Sequence, residues 1–291
     1  MHGIANQPNP SSATLAHRLG LLRGRDVRPA PPDSDIAQRI ARLKLLANEA
    51  RPNNPRGDGR LPGETIAPGL VLIERKLGAL QALKLRLDLP ETLLPDWHEH
   101  NPVPRERLLF FDTETSGLNG GAGLKVFMLG VLRWRDGWTL KQFILSDPDG
   151  EGALVQAWLA EVSDQPVLVS YNGKRFDIPA LATLERLHGE NSGAAGFTHW
   201  DLLYPVRRRF RKLWPNCRLQ TAERLLLNKH RIDDMPGSEA PRAWRDFLRF
   251  GHTHALLEIA RHNRSDLESL IALLRSLSCP HPSPVRNHEI S

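Results

Sequence analysis

Apolar residues recur along the chain at two different periods, and the change of period divides it. Ile36, Ile40, Leu43 and Ala47 fall three or four apart behind the cap-forming Asp33 and Ser34, which predicts an amphipathic helix near residues 35–50. Residues 1–34 mix Pro, Ser, Gly and Arg, and Arg28-Pro29-Ala30-Pro31-Pro32 cannot continue a helix, so a flexible arm is expected there. A loop at 53–59 and a short strand at 69–73 come next, before a proline-rich joint marked by Pro90, Pro95, Pro102 and Pro104. The pattern places a domain boundary near residue 104, with residues 1–104 as a basic extension.

Beyond the joint, apolar runs at 108–111, 126–134 and 138–145 are separated by Gly-rich or polar turns and predict three consecutive strands. Helical periodicity at 151–162, an apolar run at 167–169 and a further helix at 177–187 follow. The periodic segment 256–277 predicts a last helix. This β-β-β-α-β-α order is that of an α/β fold, a mixed sheet flanked by helices, over residues 105–279. Residues 280–291 read as a flexible tail.

Composition adds a few exclusions. The 291 residues are 40% hydrophobic and 25% charged, enough for a core of conventional size without staples. Cys217 and Cys279 lie far apart and outside any CxxC spacing, which argues against a disulfide framework or a thiolate zinc site. No apolar run approaches the ~20 residues that cross a bilayer, and residues 1–30 lack the central apolar stretch of a signal peptide. A soluble, cytoplasmic protein with no membrane partner is expected. The net charge of +6 tilts the long-range field toward polyanions.

The candidate chemistry is acidic. Asp112-Thr113-Glu114 follows the run 108–111 directly, so strand alternation sends both carboxylates to one face and Thr113 to the other. At ~4 Å and an effective dielectric near 20, such a pair repels by about 4 kcal/mol, which protonation or a cation must relieve. With neither Cys nor His beside them, these oxygens favour magnesium or manganese over zinc. In Ser170-Tyr171-Asn172-Gly173-Lys174-Arg175-Phe176-Asp177, Asn172 and Gly173 make a turn, Phe176 is expected to anchor in the core, and Asp177 stands at a helix start, where it could also simply cap. His262-Asn263-Arg264-Ser265-Asp266 opens the last helix, with His262 and Asp266 one turn apart on the same face. Taken singly, each piece has an ordinary explanation in solvated acids, a cap or a surface pair.

Together, the three pieces resemble the motifs of the DEDD branch of ribonuclease H-like 3'-to-5' exonucleases. That family's DxE is matched by Asp112 and Glu114. Its Asn, short spacer, Phe or Tyr and Asp are matched by Asn172, Phe176 and Asp177. The family's last Asp follows a Tyr by four residues or a His by five; here Asp266 follows His262 by four, a hybrid. Tyr171-Asn172-Gly173-Lys174, Trp200-Asp201-Leu202-Leu203 and His262-Asn263 are most similar to the bacterial YprB-like branch, over residues 108–277.

The resemblance implies a ribonuclease H-like sheet and a metal-dependent exonuclease. In that reading Asp112, Glu114, Asp177 and Asp266 hold two divalent cations, Mg2+ or Mn2+, and His262 orients or deprotonates the attacking water. Its partners are the 3' ends of single-stranded DNA or RNA. Leu118, in the Gly-rich stretch after the first motif, matches the family's wedge against the last base. Thr115, Asn172 and Lys174 join it as nucleic-acid contacts. Arg207, Arg208 and Arg211, in a basic run beside Phe210 and Trp214, suit backbone phosphates, although a solvated helix face reads nearly as well. Asp201 reads as a cap, and Asp233-Asp234 and His98-x-His100 as surface groups. A binding module without cleavage and an endonuclease of the same fold are the alternatives, and the extension 1–104 is open to a protein partner.

Overall fold

The computed structural model describes residues 57–78, 82, 87–98, 101–117, 124–231, 235 and 237–278. The arm, the helix near 35–50, Leu118, Asp233-Asp234, Cys279 and the tail lie outside the described residues. Nine strands are described: β1 (Glu64–Ala67), β2 (Leu70–Leu77), β3 (Thr92–Leu93), β4 (Val103–Pro104), β5 (Leu108–Thr115), β6 (Val126–Trp134), β7 (Trp138–Leu145), β8 (Val167–Ser170) and β9 (His199–Asp201). The described α-helices are α1 (Glu151–Val162), α2 (Asp177–Leu187), α3 (Leu203–Phe210), α4 (Leu219–Leu226), α5 (Ala240–Phe250) and α6 (His254–Ser278).

Seven strands form one sheet in the order β1-β2-β7-β6-β5-β8-β9. β1 to β5 pair antiparallel along this order, whereas β8 and β9 add parallel to β5. The mixed α/β sheet expected from the sequence is therefore present. One expectation is corrected: the apolar run at 69–73 belongs to an eight-residue strand that pairs with β7 from Leu70↔Leu145 to Leu77↔Trp138. The sheet thus reaches back across residue 104, with β2 seated between β1 and β7.

Alternation along β5 sends Leu109 and Phe111 into one apolar cluster with α1, α2 and α5, and Leu108 and Phe110 into another with α3, α4 and much of α6. The long α6 buries Leu256, Ile259, Asn263, Leu267, Leu270, Leu274 and Leu277, a stripe at helical spacing with one polar member. Asn263 lies over Gly130, the β6 residue paired with Asp112 on one side and Gln142 on the other. A Cβ at Gly130 would come within 2.1 Å of Asn263 Oδ1 and 2.7 Å of Leu267 Cδ1, so glycine is what lets the helix approach.

Gly130→Ala is therefore expected to lower stability by roughly 1–3 kcal/mol through overpacking. Urea denaturation with an unchanged m-value would show it; a wild-type midpoint would mean the helix stands further off than described.

Candidate active site

Asn263 is fully buried and closes a bridge across the sheet. Its amide nitrogen donates to Asp112 Oδ2 at 2.9 Å, and its amide oxygen accepts from Gln142 Nε2 at 2.9 Å. Gln142 Nε2 also donates to Ala260 O at 2.7 Å. The α6 backbone is thereby fixed against β5, and His262 and Asp266, one residue before and three after Asn263, are brought to the strand end that carries Asp112 and Glu114. The pair expected at the start of the last helix instead lies midway along it, since α6 begins at His254.

Thr113 points away from Asp112 and Glu114, as alternation requires, but the face it meets is that of α2. Asp177 is the first residue of α2, and the cap position before it is Phe176, which makes no side-chain cap bond. Its Oδ1 accepts from Thr113 N at 3.0 Å and Thr113 Oγ1 at 2.5 Å. The parallel pairing of β5 with β8 stops at Phe110↔Val169, which leaves the Thr113 amide available to this carboxylate. The intervening turn is made by Asn172 in the left-handed region (φ 68°). At Gly173 a Cβ would lie 2.4 Å from Ser170 Oγ and 3.0 Å from Asp177 Oδ2. Asp201 organises the turn, accepting from Asn172 N (2.7 Å), Lys174 N (3.1 Å) and Leu203 N (3.1 Å). Its bond to Leu203 N serves the start of α3, where a cap was expected, and the other two hold the Asn172 turn.

Electrostatics shows the four acids converging. Burial first, then Asp177, Asp266 and Glu114, holds the Asp112 carboxyl well above the usual range, against the opposing Asn263 bond. Burial also raises Asp177, to about 6, although its bonds to Thr113 pull the other way. Asp266 is raised by burial and opposed by His262 and Arg231. Among the described residues, no three His, Cys, Asp or Glu side chains stand ready-assembled as a metal cage. One oxygen of each aspartate accepts from a protein donor, Asn263, Thr113 or Arg231. The donor set is nonetheless hard oxygen, with an excess of acid that a divalent cation would relieve.

Beside the acids lies a cleft of about 600 Å³ lined by Glu114, Thr115, Leu124, Phe176 and Asp177 among others. Phe176 corrects another expectation, for it is 54% exposed and faces this cleft instead of anchoring in the core. Thr115 is a lining residue whose hydroxyl donates to Gly117 O at 2.8 Å. On the far side of the Asn172 turn, Lys174, Tyr204, Arg208, His199 and Trp97 line a second hollow of about 380 Å³. Arg207, Arg208 and Arg211 are exposed on or just after α3, with Arg208 paired to Asp96 at 3.0 Å. Arg209 instead ties α3 to the end of α6 through Leu277 O at 2.7 Å. His98 is no simple surface group, for it packs edge-on against Trp200.

Three participants were given no role in the sequence reading. Asn263 was legible as a polar residue inside an apolar helical stripe. Thr113 had no signal beyond its position between two acids. Arg231, whose Nη2 donates to Asp266 Oδ1 at 2.5 Å while Nη1 stands 3.2 Å from His262 Nδ1, comes from a segment with no periodic pattern and carried none.

This sheet, with acids gathered at the end of its central strand, belongs to a recognised class. The model of the RNase H superfamily matches residues 109–278, and the chain is a member of that superfamily. It is 39% identical over 176 residues to the uncharacterized protein YprB of Bacillus subtilis (strain 168), a match covering 60% of this chain and 42% of that protein. The chain thus spans less than half the length of that relative. Similar solved structures include the family B DNA polymerase of Pyrobaculum calidifontis (20% identity, TM-score 0.49, 62% of this chain and 25% of that one). Another is E. coli exonuclease I in complex with a dT13 oligonucleotide (15% identity, TM-score 0.38, 58% and 40%). Among the described residues no helix is long and apolar enough to cross a membrane.

The raised Asp177 gives a pH signature. Its folded pKa of about 6 exceeds the unfolded value near 3.9, so the native state binds the proton more tightly and its ionisation works against folding. That penalty is absent below about pH 4, grows as pH rises toward about 6 and levels off above it, reaching on the order of 3 kcal/mol. In chelator, wild type is expected to lose stability relative to Asp177→Asn between pH 4 and 7. Parallel melting profiles for the two proteins would contradict this.

Proposed function

We propose that this protein is a metal-dependent 3'-to-5' exonuclease acting on the ends of single-stranded DNA or RNA. The observation that carries the reading is the half-buried Asp112, its proton affinity raised by desolvation and by Asp177, Asp266 and Glu114, at the end of β5 and beside an open cleft. Such a cluster is costly for folding and is kept where its charge is used.

In this reading Asp112, Glu114, Asp177 and Asp266 hold two Mg2+ or Mn2+ ions. Bound there, the ions would supply an acidified water and charge stabilisation at phosphorus. The chain's own side chains do the positioning. Thr113 and Asn263 each fix one oxygen of an aspartate and leave the other to ligate. Exposed Phe176 offers a stacking face in the cleft, next to Thr115. Asn172 shapes the turn, and Lys174, Arg207, Arg208 and Arg211 give the strand's phosphates a basic path along α3. His262 orients the attacking water or takes its proton. The extension before β1 is open to a protein partner.

End-labelled single-stranded DNA and RNA incubated with Mn2+ or Mg2+ are expected to yield successive mononucleotides, with EDTA and Asp112→Asn abolishing the products. Internal fragments would point to an endonuclease, and retention without products to a binding module. His262→Ala is expected to lower turnover by about a hundredfold or more with ion affinity nearly intact. Unchanged turnover removes His262 from the mechanism.

A further inference from the structure

The hollow on the far side of the Asn172 turn is built from two distant stretches. Trp97 and His98 come from the segment between β3 and β4, and Lys174, Trp200, Tyr204 and Arg208 from the turn, β9 and α3. The first stretch is pinned to α3. Asp96 pairs with Arg208 at 3.0 Å and with Arg209 at 2.9 Å, and the Arg209 guanidinium stands 5.6 Å from the centre of the Trp97 ring. His98 packs on the buried Trp200 with ring centroids 5.2 Å apart. The proline-rich joint thereby supplies one wall of an opening at the β9 margin of the sheet.

Charge and ring surface are sorted within this hollow. Lys174 and Arg208 are exposed, Trp97 and His199 are half-buried, and Trp200 is buried. Burial, then Lys174, pushes the His199 imidazole down to about 4, so the inner ring is neutral at pH 7. Both oxygens of Asp201 accept from backbone N–H groups. Neither rim cation is firmly committed. Arg208 and Asp96 are more than half exposed, a setting in which ion pairs hold weakly. Lys174 Nζ lies 5.6 Å from the centre of the exposed Tyr204 ring, again a weak attraction in water. A phosphate can therefore recruit both cations while the rings meet something flat and apolar.

The chain itself joins this hollow to the cleft beside the acids. Lys174 lines the hollow, whereas Arg175, Phe176 and Asp177 line the cleft together with Glu114. Three steps of backbone separate Lys174 from Asp177, a span of at most ~11 Å, or about three nucleotides of a stacked strand.

We propose that the hollow is an anchoring subsite for one nucleotide of a single strand, about three to five positions back from its 3' end, with its base on Trp97 and Tyr204 and its phosphate on Lys174 and Arg208. The placing of the 3' end rests on the nuclease reading above. The volume of about 380 Å³ falls within the range of small-ligand sites, ~300–1,000 Å³, and suits one nucleotide. A base reaches these rings only when it has left its own stack, so a duplex is turned away at this position. A strand gripped here stays bound after its terminal nucleotide departs, and strands too short to reach are held at the cleft alone.

The test is competition of unlabelled thymidylate strands, two to eight nucleotides long, against a 5'-labelled eight-nucleotide strand on the full chain, read by fluorescence anisotropy in EDTA so that no strand is cut. Affinity is expected to rise about fivefold to a hundredfold in one step once a strand is long enough to enter the hollow, the worth of one stacked base. An abasic nucleotide moved along the longest strand should weaken binding at one position among the third to fifth from the 3' end, apart from any effect at the terminal nucleotide. That effect should vanish in Trp97→Ala and persist in Trp97→Phe. Tyr204→Ala, at an exposed residue, gives the same reading if Trp97→Ala does not fold. Lys174→Gln should flatten the slope of log affinity against log salt by about 0.7, the share of one phosphate. Affinity that climbs smoothly with length, an abasic effect that survives in folded Tyr204→Ala, or thymidine monophosphate competing as well as the longest strand would each overturn the proposal. The same strands with Mn2+ separate the two readings. Mononucleotide products without the position-specific abasic effect overturn the anchoring subsite alone, and that effect without products overturns the nuclease reading while supporting the hollow as a strand site.

Discussion

One side-chain amide decides where the acids meet. Asn263 spans a sheet row made of Asp112, Gly130 and Gln142, taking a donor from one end and giving a donor to the other. Because Gly130 leaves no side chain in the way, α6 presses on the sheet until the amide reaches both partners. Everything carried by the next turn of that helix, Asp266 included, inherits its position from this contact. A buried amide without partners would cost about 1–3 kcal/mol per unmet group, so the arrangement also rejects a slipped register of the helix.

The same economy governs the charges. Four carboxylates drawn to one strand end repel, and the fold answers with three different donors: a threonine backbone and hydroxyl for Asp177, the amide of Asn263 for Asp112, and a guanidinium for Asp266. Only the last carries charge. The cluster is therefore held in shape largely by dipoles, which orient the aspartates without cancelling their negative potential. The metal-dependent reading proposed above is served by that choice, since full ion pairing at every acid would leave nothing for a metal to do.

Much of this was legible in the sequence. The strands at 126–134 and 138–145 and the helices at 151–162 and 177–187 match the described elements, because long apolar runs and sustained 3.6 periodicity are strong signals. The acids were legible as three motifs at strand or helix ends. Less visible was whatever depends on distance in sequence. The pairing of β2 with β7 joins residues about seventy apart through backbone groups, which no residue type announces. Phe176 looked like a core anchor by its chemistry and is exposed, because the residue before α2 turns toward the cleft. Arg231 lies in a short irregular stretch after α4, where neither period nor motif marks a charge as buried.

The antiparallel attachment of β2 has a bearing on how the molecule can be divided. Ile73 pairs with Gln142, so the row that ends at Asp112 begins on a strand before the proline-rich joint. Cutting the chain at residue 105 would strip β7 of this neighbour and leave eight residues of ladder open at a sheet margin, an invitation to self-association. A piece that keeps the acids and this ladder together therefore starts ahead of β1.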